Sequence, residues 1–247
     1  MADAPLPYLP QRLVDQYTAN WLEVISIPNA EALQASFLQD GQLLTGVGFA
    51  IEHIAQLVAT VGAAHIKARF ILQPPAPGTY PQFSLVLFAT DSLDARISSY
   101  YVPQEVYTDT DAFVCPSRPG TPTVHKNQLH HVLAERWRQN WGDVKGSAVL
   151  PEYFESHYGP LRGYTYGVDE FLALFLLLEI LGDTMLKVHF VLHDYYRPDP
   201  TTGGDELAKT FALALRLKRS GKPKDVDDVD DIDDPVMNNG MPCPPSC

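Results

Sequence analysis

Hydrophobic and polar positions follow two rhythms along this chain, and each rhythm occurs twice. Ile51, Ile54, Leu57, Val58 and Val61 fall at helical spacing, and so do Phe171, Leu174, Leu177, Leu178 and Leu181. Both runs stop at a glycine, Gly62 and Gly182. Glycine takes the left-handed position past a helix end without a Cβ clash, so a helix ending there is expected. The period then drops to two. Ile66, Ala68, Phe70 and Leu72 alternate with His65, Lys67, Arg69 and Ile71, and Leu186, Val188, Phe190 and Leu192 alternate with Lys187, His189, Val191 and His193. That alternation predicts strands with one core face and one more polar face.

The two stretches, Gly48–Leu72 and Val168–Leu192, line up without a gap at an offset of 120 positions. The same offset places Leu13 on Leu133, Asn20 on Asn140, Trp21 on Trp141, Val24 on Val144 and Ser36 on Ser156. We read an internal duplication. Upstream of each apolar helix the pattern predicts another: Gln11–Val24, with Leu13, Val14, Tyr17, Trp21 and Leu22 on its buried side, and Asn127–Val144. The shared Asn-Trp pair reads as a packing Trp with Asn bonding the chain as the helix stops, with a ligand-stacking Trp as the alternative. A second short helix is expected at Asn29–Leu38, with Asn29 as N-cap and Pro151–Tyr158 as its counterpart.

Each strand should turn back as a hairpin. In the first, Phe83, Leu85 and Leu87 alternate after the loop QPPAPGTYP. In the second, DELAKTFALALRLKRS has helical propensity, yet Phe211, Leu213, Leu215 and Leu217 keep a period of two. A strand from about Thr210 is therefore expected. A further strand around Ala95–Val102 belongs to the first copy and has no counterpart in the second.

The expected fold is α+β: a first unit at 1–107, a connector at 108–126, a second unit at 127–224, and a disordered acidic tail at 225–247. Each unit places helices before an antiparallel β-hairpin, and the units form a pseudo-two-fold body. The hairpins would join in one antiparallel sheet with the apolar helices on a single face. Its opposite face would carry Lys67, Arg69, Lys187 and His189, a basic patch for an acidic ligand, a phosphate or the tail. Solvated lysines that discourage edge pairing are the competing reading. Tyr153, Phe154, Tyr158, Tyr164 and Tyr166 form an aromatic cluster suited to stacking on a ligand or packing on a core, with Tyr164 and Tyr166 as the binding candidates.

Composition adds limits. Of 247 residues, 45% are hydrophobic and 19% charged, as in an ordinary globular chain. The net charge is −12, of which seven negative charges sit on aspartates between Asp225 and Asp234. The remainder is only mildly acidic, which offers no electrostatic case for nucleic acid and disfavours anionic membranes. The most apolar run, Phe171–Leu178, is about half a membrane span. Three cysteines form no disulfide framework, and no secretory signal is visible, so a cytoplasmic setting is expected.

Chemical motifs are sparse. Gly46-Val47-Gly48 begins like a dinucleotide fingerprint, but Ile51 stands where a small residue belongs and no clear strand precedes it. There is no phosphate loop, nucleophile elbow or zinc helix. His189 and His193 share a strand face, but four residues of strand separate them by about 13 Å, too far for one metal ion. In the tail, Asp227, Asp228, Asp230 and Asp231 form an acidic docking segment, and Cys243 and Cys247 are candidates for cross-linking or soft-metal chelation.

The leading expectation is a non-catalytic binding or self-assembling protein. Its partner is a second copy of the chain or another protein, with no cofactor, nucleic acid or membrane. One alternative is an enzyme with its site between the copies, using His157, Glu170, His189 and the tyrosines. The other is a metal or thiol-redox sensor working through Cys243 and Cys247.

Overall fold

A computed structural model describes residues 8–27, 30–74, 80–108, 128–129, 131–146, 148–156, 158–175, 184–198, 203–219, 236–237 and 241–242. In chain order the first half holds β1 (Tyr8–Leu9), α1 (Gln11–Ser26), α2 (Ala30–Ser36), β2 (Leu38–Gln39), β3 (Gln42–Leu43), β4 (Gly46–Ala50) and α3 (Ile51–Val58). It continues with β5 (His65–Gln73), β6 (Gln82–Thr90), β7 (Tyr100–Tyr101) and β8 (Glu105–Tyr107). The second half holds β9 (Gln128–Leu129), α4 (His131–Asp143), a 3-10 turn at Pro151–Phe154, β10 (Glu155–Ser156), β11 (Gly159–Pro160), β12 (Gly163–Gly167) and α5 (Val168–Phe175). It ends with β13 (Thr184–Pro198), β14 (Asp205–Arg219), β15 (Val236–Met237) and β16 (Met241–Pro242). This is a mixed α+β fold with antiparallel sheets.

The local reasons for the helices and turns are visible. Helix α1 starts after Pro10, whose extended backbone presents its carbonyl to the amides of Leu13 and Val14. It stops where Ile27 turns extended, the conformation preferred before a proline, here Pro28. Gly62 takes φ +84°, the left-handed turn expected between α3 and β5. Gly182 and Asn29 lie outside the described residues.

The two hairpins do not share a sheet. One six-stranded sheet runs β1-β7-β6-β5-β12-β16 and the other β9-β15-β14-β13-β4-β8. The expectation of a single sheet fails because each hairpin takes its next strand from the other half. β12 pairs with β5, and β4 with β13. One register serves both: Gly163 faces Arg69 and Thr165 faces Lys67, while Gly46 faces His189 and Gly48 faces Lys187. Leu87 faces Tyr101 as Leu215 faces Met237, and Tyr8 faces Tyr101 as Gln128 faces Met237. Val47 faces Val106 as Tyr164 faces Pro242.

These registers revise the sequence lineup. Gly46-Val47-Gly48 lies on strand β4, and α3 begins only at Ile51. Thr165, three residues before Val168, holds the place opposite Lys67 that Gly48 holds opposite Lys187. Of the helix expected over Pro151–Tyr158, a 3-10 turn forms at Pro151–Phe154 and Glu155–Ser156 is strand β10. The strand expected from Thr210 starts at Asp205, because pairing with β13 outweighs its helical propensity. The strand expected over Ala95–Val102 is only Tyr100–Tyr101, paired with β6. In the segment expected to be a tail, Val236–Met237 pairs with β14 and Met241–Pro242 with β12.

Between the sheets lies one aromatic core. Trp21, Phe37, Phe70 and Phe83 come from the first half, and Trp141, Phe154, Phe190 and Phe211 from the second, all buried. Trp21 meets Phe154 at 5.0 Å while Trp141 meets Phe37 at 5.2 Å. Phe70 meets Phe211 at 5.5 Å while Phe190 meets Phe83 at 5.3 Å. Such edge and offset contacts add about 0.5–1.5 kcal/mol per pair beyond the area buried. Both indoles are satisfied across the halves. Trp21 Nε1 donates to the Leu161 carbonyl at 2.9 Å, and Trp141 Nε1 to the Leu44 carbonyl at 2.7 Å.

Candidate functional site

Strand alternation decides where each candidate residue points. In an antiparallel pair, directly opposed residues share a face. Tyr164 opposes Ala68 and Tyr166 opposes Ile66, whose side chains line the central core. Lys67 and Arg69, one position off, lie on the other face with Thr165. The tyrosines and the basic residues therefore sit on opposite sides of the same sheet. Tyr164 is buried, its hydroxyl donating to the Phe211 carbonyl at 2.6 Å, and Tyr166 packs edge-on against Phe171 at 5.7 Å. They belong to the core.

Lys67 is 2% exposed, not displayed on an open patch. Its Nζ lies 3.0 Å from Asp94 Oδ1, and His65 Nδ1 lies 3.8 Å from the same oxygen. Asp94 reaches over the sheet from a turn at φ +65°, which Asp91 organises. The Asp91 carboxylate accepts the amides of Leu93 and Ala95, both at 2.9 Å. The Asp94 side chain is 52% exposed. Arg69 lies over the Phe88 ring at 5.2 Å.

Lys187 occupies the corresponding place in the other sheet and is 1% exposed. Its partner differs: the ammonium sits 4.1 Å from the centre of the Tyr107 ring, a cation–π contact, and the Tyr107 hydroxyl donates to the Glu105 carboxylate. Glycine at position 48 makes this possible, since a Cβ there would meet the Tyr107 hydroxyl at 2.8 Å. His189 is buried beside Gly46. Lys67 and Lys187 thus stand in separate sheets, and no joint basic patch forms. α1 packs on β5 and α4 on β13, while Asp94 lies over Lys67 and Tyr107 over Lys187, coverings that alternation in one strand cannot reveal.

A cluster that sequence reasoning did not assemble lies between α4 and β13. Asp194 accepts Asn140 Nδ2 at 3.0 Å and pairs with Arg136 Nε at 2.8 Å. Asn140 also bonds the Leu192 carbonyl at 3.1 Å, as Asn20 does the Leu72 carbonyl at 3.5 Å. The His193 ring rests on Trp137 at 4.1 Å, and burial lowers its pKa, with the Asp194 charge opposing. The arrangement holds a neutral imidazole against an indole. The flagged Asn-Trp pair was its only sequence signal.

Among the enzyme candidates, Glu170 accepts the Gly167 amide at 3.4 Å; burial raises its pKa, that bond lowers it, and Asp169 raises it. His157, Asp227, Asp228, Asp230, Asp231, Cys243 and Cys247 lie outside the described residues. Among the described residues, no group of three or more His, Cys, Asp or Glu could hold a metal ion. Among them, too, no helix is long and apolar enough to cross a membrane. Compared with known protein families, curated proteins and solved structures, the chain matches none.

Proposed function

We propose that this chain is a non-catalytic protein-binding or self-assembling protein, built from two repeats of one unit related by a pseudo-two-fold axis. The observation that carries this reading is the aromatic core. An enzyme acting between the repeats would need an open cleft there, and that space is packed with eight interlocking rings. Burial of Tyr164, Tyr166 and His189 argues in the same direction. The duplication is supported by the register pairs repeated from sheet to sheet and by the reciprocal Trp bonds. In this reading the second repeat extends to residue 242, with β15 and β16 in the places of β7 and β8. Residues 225–235 are then an acidic insertion, and the cytoplasm is the expected setting.

Light scattering on the full chain, over a series of concentrations and salt, tests the assembly arm. A mass above that of one chain, rising with concentration, is expected. A strict monomer throughout, with no partner recovered in pull-downs from its own cell extract, would overturn the reading.

A further inference from the structure

The ladder between β13 and β14 has fifteen pairs, against nine between β5 and β6. Counted from Lys187 and Lys67, it runs five pairs further, from Asp194 opposite Lys209 to Pro198 opposite Asp205. The aromatic core does not reach these pairs. Tyr196 and Leu207, directly opposed on one face, are 73% and 49% exposed. On the other face Arg197 Nε pairs with Glu206 at 3.2 Å.

The register fixes where the backbone groups of β14 point. The Phe190 amide donates to the Thr45 carbonyl at 2.9 Å, away from β14. Leu213, opposite Phe190, therefore turns its own N–H and C=O away from β13. Alternation repeats this at Phe211, Lys209, Leu207 and Asp205. The Phe211 carbonyl agrees, accepting the Tyr164 hydroxyl, and Leu215 pairs outward with Met237. Thr210 Oγ1 donates to the Tyr153 carbonyl at 3.4 Å. The outer side of β14 is thus engaged at Thr210, Phe211 and Leu215. Among the described residues, none bonds the outward N–H and C=O of Asp205, Leu207 and Lys209. A strand edge left in that state is a template for another strand.

The side chains decide which strand fits. Charges of one sign would block the edge. Here one charge of each sign stands two residues either side of Leu207, and all three share a face. A second copy, laid antiparallel with a two-fold axis at Leu207, sets Asp205 opposite the partner's Lys209 and Lys209 opposite the partner's Asp205. Leu207 meets the partner's Leu207, and Glu206 meets the partner's Ala208. All three outward pairs exchange backbone hydrogen bonds, and two tyrosines flank two leucines in one apolar row across four strands. A slip of two residues either way would set Leu207 against Asp205 or Lys209. The segment is therefore complementary to itself in charge, shape and register, as an isologous contact requires.

We infer that residues 205–209 form a self-association edge and that its occupant is the same segment of a second copy of this chain. The inference rests on the assembly reading and supplies its contact.

The test uses the full-length chain. Asp205→Lys and Lys209→Asp each set like charges opposite one another at two places in the dimer. Each should weaken dimerisation by about tenfold in sedimentation equilibrium. Mixed in equal amounts, the two variants become complementary, and dimerisation should recover towards wild type. Leu207→Cys, with Cys115, Cys243 and Cys247 replaced by serine, should form a disulfide between chains, since opposed Cα atoms in a hydrogen-bonded pair lie about 5.5 Å apart. Tyr196→Cys on the same background is the control. That position is more exposed, but three strand spacings, about 14 Å, would separate its two copies. It should cross-link more slowly. Faster cross-linking at 196 than at 207, single charge variants that dimerise like wild type, or a mixture no better than either variant alone would each overturn the edge. If wild-type chains associate in that case, the assembly reading survives without this contact. Wild-type chains that stay monomeric at every concentration would overturn both the edge and self-assembly.

Discussion

Lys67 and Lys187 stand at the same register in the two sheets, and both are buried, yet their partners among the described residues differ. Lys67 faces the Asp94 carboxylate, and Lys187 faces the Tyr107 ring. The third residue of the helix before each lysine strand differs likewise: His53 in α3 and Glu170 in α5. The eight central rings, by contrast, match in type between the halves, although Tyr164 stands in the core where the other half has Val47. Trp21 answers Trp141, and Phe37, Phe70 and Phe83 answer Phe154, Phe190 and Phe211. A close-packed core punishes any change of shape. A charge on the outer face needs only some compensating neighbour. Strand register and the eight central rings thus match between the halves, while the polar neighbours seen among the described residues differ.

The largest expected effect comes from the shared part. Trp21→Ala and Trp141→Ala should each cost about 3–5 kcal/mol, measured by urea unfolding. Near-equal losses would support equivalent roles, and a large loss in one half only would break the comparison.

Next come the glycines where strands of different halves meet. A Cβ on Gly46 would strike the Val188 carbonyl, and one on Gly163 the Ala68 carbonyl, with Gly163 also at φ +147°. Gly46→Ala and Gly163→Ala should each cost on the order of 3 kcal/mol by overpacking or strain, read from the same unfolding curves.

The lysine partners should separate the halves. Asp94→Ala should cost about 1 kcal/mol, discounted for its exposed carboxylate, and the loss should shrink in high salt. Tyr107→Leu should also cost about 1 kcal/mol, with little response to salt. Equal salt dependence would mean that the two lysines are held alike.

The smallest effects are in pH. Burial, opposed by Glu52, lowers the His53 pKa below its ordinary 6.5, so the folded chain favours the neutral ring. Its contribution is present above about pH 6.5 and is lost as pH falls through the lowered pKa. Burial raises the Glu170 pKa above its ordinary 4.5, so the folded chain favours the protonated acid. That contribution is present below about pH 4.5 and is lost as pH rises through the raised pKa. His53→Gln should remove the first decline and Glu170→Gln the second, read as urea midpoint against pH.

Local pattern carried much of the secondary structure. Helical spacing located α1, Gly62 marked the turn into β5, and period-two leucines identified β14 against its helical propensity. β4 and β12 were hidden because they are short and glycine-rich, with Gly46, Gly48, Gly163 and Gly167, and pair only with distant segments. The tail strands are two residues each, below any periodic signal. At the candidate site, alternation separated the faces of β5 but not what covers them. It therefore missed the burial of Lys67 and Lys187 and the Asp194 cluster. The tail aspartates and Cys243 and Cys247 stand where the sequence left them.

The central claim is that each half completes the other's sheet. Its most direct measurement is fragment complementation, with the chain divided in the connector into residues 1–108 and 126–247. The account predicts that co-expressed fragments purify as a one-to-one complex with the near-ultraviolet circular dichroism of the intact chain, and that neither alone is a folded monomer. A fragment that folds by itself as a monomer, with a cooperative thermal transition, would contradict it.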